Sequence, residues 1–267
     1  VSNDQKENLV AELLDIRPST FDLQPIERIP LPGLHRRTRA FIKVQDGCDN
    51  QCTFCITTVA RGEGRSRHSA DVILDIESAL AGGAKEIVLT GVNLGDFGKA
   101  SDNSKTQHEN FTELVQQLDE VAGIERYRIS SIEPNLLTPE IIELVANSKK
   151  FMPHFHIPLQ SGSDKILGLM RRRYKRELYS ERVGLIKTMM PHCCIGVDVI
   201  VGFPGETDDD FMETFDYLHQ LDIAYLHVFT YSERTNTLAA GMKPVVPVNV
   251  RNDRNKTLRN LSYQKMQ

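Results

Sequence analysis

Three cysteines within eight residues, Cys48, Cys52 and Cys55, constrain this chain more than any other feature. They follow the apolar run Ala40–Val44, in the text Gln45-Asp46-Gly47-Cys48-Asp49-Asn50-Gln51-Cys52-Thr53-Phe54-Cys55. In a parallel α/β fold the loops at the C-terminal ends of the strands build the active site, so a cysteine loop after a first strand is placed for chemistry. Three thiolates can bind three irons of a [4Fe–4S] cubane, and with no fourth cysteine nearby one iron stays open. An open iron can take the amino and carboxylate groups of S-adenosylmethionine (SAM), setting the sulfonium beside the cluster for one-electron cleavage. The competing reading is structural zinc. That metal usually takes four protein ligands in two close pairs, and the fourth here would have to be His68 or the distant Cys193 or Cys194.

The remaining composition narrows the setting. At 267 residues, 40% hydrophobic and 25% charged, the chain can bury one sizeable core or two modest ones. Five cysteines, an odd number with three clustered, point to metal or catalysis before disulfides. No apolar run reaches the ~18 residues of a membrane helix, and Val1–Glu7 lacks a signal-like pattern. The expectation is a cytoplasmic protein with no membrane attachment. A net charge of −4 argues against a generally basic nucleic-acid surface but allows a local basic patch.

Residues 1–38 mix charge and proline without a period and read as a linker or the remnant of a preceding element. From Arg39 onward, short β-branched runs alternate with amphipathic stretches. The strand-like runs are Ala40–Val44, Glu86–Thr90, Tyr127–Ser131, His154–Ile157, Cys194–Val201 and Ile223–Phe229. Helical spacing marks Ser69–Leu80, Phe111–Val121, Pro139–Ala146, Glu177–Met190 and Asp208–Leu221, with Ser69, Thr138 and Thr207 as candidate caps. Six strands alternating with helices predict right-handed crossovers and a parallel sheet, open or barrel-shaped. The polar tail Val248–Gln267 is expected to be helical. His154 and His156 share a strand face with no third ligand evident and read as core or rim residues; Cys193 and Cys194 read as inert thiols.

At this point the text resembles the radical SAM superfamily, which implies a partial (β/α)6 barrel with parallel strands over 39–240. More narrowly it resembles the methylthiotransferases. The matching segments include Leu89-Thr90-Gly91-Val92-Asn93, Pro158-Leu159-Gln160-Ser161-Gly162-Ser163-Asp164, Met170-Arg171-Arg172-Arg173-Tyr174 and Asp198-Val199-Ile200-Val201-Gly202-Phe203-Pro204-Gly205-Glu206-Thr207. Arg128-Ile129-Ser130-Ser131-Ile132-Glu133 and His227-Val228-Phe229-Thr230-Tyr231-Ser232-Glu233-Arg234 resemble the branch acting on N6-threonylcarbamoyladenosine at position 37 of tRNA. Sister branches act on isopentenyladenosine or on a ribosomal-protein aspartate, and a zinc- or cluster-stabilised RNA-binding module is the non-enzyme alternative. The resemblance implies a 5′-deoxyadenosyl radical that abstracts hydrogen from C2 of the adenine, tRNA as partner, and a one-electron reductant such as flavodoxin or ferredoxin.

Cofactor contacts are expected along the strand ends. The metal ligands, and the initiators of radical chemistry, are Cys48, Cys52 and Cys55, with Phe54 beside them. Gly91 and Asn93 follow the second strand, where glycine would allow close approach of the methionine moiety or simply end the strand. Ser131 and Glu133 would bind ribose hydroxyls or the amino group, or face solvent, and Gln160 would contact SAM through its amide or be a polar loop residue. Arg172 would pair with the SAM carboxylate or RNA phosphate, or lie on a solvated helix face. Gly202 and Glu206 belong to a segment expected against the adenine, or to a βα turn. Methylthiotransferases normally carry an N-terminal domain with a second [4Fe–4S] cluster and a C-terminal RNA-binding domain. With no cysteine before Cys48, the expectation is a catalytic middle domain followed by a helical tail, 241–267, and limited on its own to SAM cleavage.

Overall fold

Strand alternates with helix along most of the described residues, and each local pattern has a visible cause. The computed structural model describes residues 38–99 and 109–267; the expected N-terminal linker lies outside them, apart from its last residue. The elements are β1 Arg39–Lys43, β2 Gln45–Asp46, α1 Thr57–Arg61, β3 Arg65–Ser66, α2 Ser69–Ala81, β4 Glu86–Thr90, α3 Phe111–Glu120, β5 Arg126–Ile129, α4 Pro139–Asn147, β6 His154–His156, α5 Asp164–Leu169, α6 Arg176–Met189, β7 Cys194–Val201, α7 Asp208–Gln220, β8 Tyr225–Thr230 and α8 Val248–Lys265.

Helix starts follow cap chemistry. Thr207 accepts the Asp210 amide while the Asp210 side chain returns to the Thr207 amide, and Asn110 with Glu113 forms the same reciprocal box on α3. Thr138 accepts the Ile141 amide with Pro139 in the first turn of α4. Ser69 departs from expectation. The cap residue of α2 is His68, and the buried Ser69 hydroxyl bonds the Glu109 carboxylate. A charged acceptor makes the stronger hydrogen bond, so the backbone amide loses the competition.

The principal strands are all parallel. β4 lies between β1 and β5, and β7 lies between β6 and β8. The two triplets meet where Tyr127 bridges Phe151 and the Ile132 amide donates to the His156 carbonyl at 3.1 Å. Among the described residues β1 and β8 do not pair, so the six strands form an open, partial-barrel arrangement. One strand face, with Ile87, Leu89, Tyr127, Ile129, Phe155, Ile195, Val197, Val199 and Leu226, packs in the hydrophobic core with residues of the helices. The pleat therefore turns Glu86, Arg126, Arg128, His154, His156, Asp198, Tyr225 and His227 to the other, concave face. α8 packs on β8, its Leu258 and Leu261 joining the same core and its Ser262 hydroxyl accepting the Leu226 amide at 2.9 Å. No described helix is long and apolar enough to cross a membrane.

Candidate active site

The cysteine loop leaves β1 through a two-strand hairpin, β2 with β3, that sequence patterning did not reveal. Gly47 turns the chain at φ +71°, where any Cβ would collide with the Glu63 carbonyl. Beside it the buried Gln45 amide works in two directions. Its Nε2 donates to the Asp46 and Gly47 carbonyls, and its Oε1 accepts from the Val92 and Asn93 amides at 3.0 and 2.9 Å. One side chain thus locks the cysteine loop to the loop after β4. Burial raises the Asp46 carboxyl, but bonds from Lys43, the Gly47 amide and Arg61 outweigh it and hold the group down to about 2. The far end of the loop is tied by the Thr53 amide to the Met170 carbonyl and by the Ala239 amide to the Thr53 carbonyl.

Cys48, Cys52 and Cys55 line one pocket with Phe54, Asn93, Ser131, Glu133, Gln160 and Arg172, joined by Asn50, Thr57, Val92 and Pro158. Each sulfur faces one N–H donor. The Asn50 amide lies 3.4 Å from Cys48 Sγ, the Thr57 amide 3.4 Å from Cys55 Sγ, and Arg172 Nη1 3.2 Å from Cys52 Sγ. Burial pushes the Cys48 and Cys52 thiols up, opposed by the Asn50 amide at the first and the Arg172 charge at the second.

Arg172 is not on a solvated helix face. Its side chain is 6% exposed, donates to Glu133 at 2.8 Å and Tyr174 Oη at 3.1 Å as well as to Cys52, and so commits its whole fork within the pocket wall. Arg171 takes φ +55° immediately before it, and Gln160 takes φ +71° on the opposite wall. Non-glycine residues in that region carry backbone strain, which gathers at functional sites.

Three expected contacts fall outside the pocket lining. Gly91 backs onto Gln45 and Leu94, where a Cβ would be crowded. Gly202, at φ +74°, makes room for the Arg251 stem. Glu206 accepts the Gly202 amide and lies 3.2 Å from Arg254; burial pushes its carboxyl up to about 6 despite those partners. Their neighbour Phe203 does reach the cysteine loop, meeting Phe54 edge-on at 6.4 Å. Cys193 is buried elsewhere, its thiol pushed up to about 12 by burial.

The donor set suits an iron–sulfur cluster. One N–H to every sulfur is the partnering that stabilises thiolates. A structural zinc usually takes a fourth cysteine or histidine, and neither lines this pocket. Asn93 Oδ1, buried without a partner, is a further polar group at the pocket.

Residues 42–218 match the radical SAM superfamily. The chain belongs to that superfamily. Its members use a [4Fe–4S] cluster and SAM, which the cysteine pocket fits. Among relatives of this radical SAM chain, the threonylcarbamoyladenosine tRNA methylthiotransferase MtaB of Bacillus subtilis (strain 168) is 44% identical over 239 residues, covering 89% of this chain and 52% of that protein. A tRNA-2-methylthio-N(6)-dimethylallyladenosine synthase of Lachnoclostridium phytofermentans is 37% identical, covering 86% and 49%. The chain therefore spans about half the length of the curated relatives it matches. Of solved structures, the radical SAM methyltransferase TsrM from Kitasatospora setae aligns at TM-score 0.63 and 17% identity, covering 75% of this chain and 38% of that one. Coproporphyrinogen III oxidase (HemN) from Escherichia coli aligns at 0.60 and 15%, covering 84% and 52%. At those identities the likeness speaks for the fold.

One cluster escaped the sequence reading. His156 was expected to lack companions, but Asp198 Oδ1 lies 2.8 Å from its Nε2 and 3.3 Å from His227 Nδ1. These residues are 42 and 71 positions from His156, and only the parallel register brings them together. Gln45 and Asn50 also went unassigned; their nearness to the first cysteine was the available signal.

Proposed function

We propose that this chain is the catalytic domain of a methylthiotransferase that modifies C2 of N6-threonylcarbamoyladenosine in tRNA. The observation carrying the chemistry is the pocket of three cysteines, each with its own N–H partner and no fourth thiol beside them. The 44% identity to a threonylcarbamoyladenosine tRNA methylthiotransferase supports the substrate. When bound, the cluster and SAM supply a 5′-deoxyadenosyl radical able to take hydrogen from an unactivated carbon.

The protein's own part is positioning. Cys48, Cys52 and Cys55 would hold the cluster, and Arg172 and the two amides would compensate its sulfur charge. Glu133, oriented by Arg172 and by Asn50 Nδ2 at 3.3 Å, offers a carboxylate to the SAM amino group or ribose. Asn93, Ser131 and Gln160 complete the polar wall, and Phe54 covers one side. Gly91, Gly202 and Glu206 act through the loops they shape. The tRNA anticodon loop and a flavodoxin- or ferredoxin-type reductant are the expected partners.

Anaerobic reconstitution tests the reading. About four irons should bind per chain, as for one cubane, and Cys52→Ala should lose them. With dithionite and SAM, the wild type should release 5′-deoxyadenosine. Tight zinc with no iron uptake would rule the reading out. In the full-length enzyme, threonylcarbamoyl-modified tRNA should be methylthiolated in preference to dimethylallyl-modified tRNA.

A further inference from the structure

The His156–Asp198–His227 cluster lies on the concave strand face, immediately below the cysteine pocket. Pro158, two residues beyond His156 on the same face, lines that pocket. Two strand residues span ~7 Å, so the cluster sits one side-chain row deeper. Asp198 and His227 are direct register partners, and Gly196, opposite His156, has no side chain because the Tyr225 ring fills that space. The rings of His156, His227 and Tyr225 then form a wall with centroids 5.0 to 6.3 Å apart.

A single carboxylate oxygen organises this wall. Asp198 Oδ1 lies 2.8 Å from His156 Nε2 and 3.3 Å from His227 Nδ1. With the ring proton on Nδ1, His227 Nε2 is an acceptor on a side chain 52% exposed. Deeper on the same face, Glu86 is shared by Arg39, Arg126 and Arg128, leaving a net positive charge. In order from the pocket come two hydrogen-bond acceptors beside flat rings, then surplus cation.

We propose that this wall is the recognition site for the polar N6-substituent of the substrate, an N-carbamoyl amino acid. The inference rests on the function proposed above and adds the residues that read the substituent. With adenine C2 at the pocket, the N6 substituent on the far side of the ring extends down this face. The two ureido N–H groups donate to His227 Nε2 and Asp198 Oδ2, and the terminal carboxylate meets the arginine surplus. A dimethylallyl group brings neither the second N–H nor the anion, and so forfeits both contacts.

Calorimetric titration of the cluster-reconstituted chain with two nucleosides, N6-threonylcarbamoyladenosine and N6-dimethylallyladenosine, tests the assignment. Wild type should bind the first more tightly. His227→Phe should weaken it by about tenfold, the size of one or two hydrogen bonds, and leave the second unchanged or tighter. Asp198→Asn, which keeps the shape but replaces one accepting carboxylate oxygen with an NH₂ donor, should move selectivity the same way. Iron content and SAM affinity of each variant serve as fold controls. If wild type prefers the threonylcarbamoyl nucleoside but neither substitution alters that preference, the site is elsewhere and the proposed function stands. If wild type binds neither nucleoside and the full-length enzyme modifies neither tRNA, the function itself fails and the inference with it. Stoichiometric zinc held by wild type and lost in His227→Phe would make the cluster a metal site and overturn the assignment.

Discussion

Arg172 Nη1 lies 3.2 Å from Cys52 Sγ, although 120 positions separate the two residues in the chain. The same guanidinium binds Glu133 and Tyr174, so one nearly buried cation links the cysteine loop to the opposite pocket wall. A positive charge donating to a ligand sulfur favours the reduced, more negative cluster.

Arg172→Gln should therefore make the cluster harder to reduce. The expected shift is on the order of 50–100 mV more negative, one to two factors of ten for a one-electron couple. A redox titration followed by electron paramagnetic resonance reads it directly. Arg172→Lys should recover part of the shift by restoring charge without the fork. An unchanged potential in Arg172→Gln would mean that the Cys52 contact does not tune the cluster.

Gln45 is predicted to be a structural hinge of the site. Gln45→Leu removes the acceptor of the Val92 and Asn93 amides while nearly preserving side-chain volume. A buried donor without a partner costs about 1–3 kcal/mol. The variant should unfold at lower denaturant concentration and release iron faster under chelator. Gln45→Glu keeps an acceptor for both amides but loses the Nε2 donor, and should fall between the two.

Glu206 makes stability fall as pH rises. Its carboxyl titrates near 4.5 when unfolded and at about 6 when folded, with burial as the main cause. The folded state thus holds the proton more tightly. The stabilisation is complete below pH 4.5 and lost as pH climbs through 6, amounting to about 2 kcal/mol. Asp46 and Asp210, both held down to about 2 against burial by their hydrogen-bond partners, act oppositely and only as pH falls from 3.8 through 2. Urea unfolding between pH 4.5 and 7 should show a declining midpoint in wild type and a flatter profile in Glu206→Gln. Equal slopes would place the group's titration at its unfolded value.

Local sequence carried the elements. The strand runs, the capping of α4 and α7, and the cysteine spacing each depend on neighbours within a few residues, and the chain alone determines them. It also determined the superfamily, because the cysteine spacing and the segments that accompany it are each a short local pattern. The tertiary structure decided which side chains that loop meets. Arg172 reads as a partner for the SAM carboxylate or RNA phosphate, or as part of a solvated helix face, until the fold buries it against Cys52 and Glu133. Glu206 reads as an adenine contact until its carboxylate is found between Gly202 and Arg254. His156 reads as a lone rim histidine until β7 and β8 set Asp198 and His227 beside it. Those neighbours follow from strand register, a long-range choice settled by which face of every strand the common core buries. No local pattern encodes it.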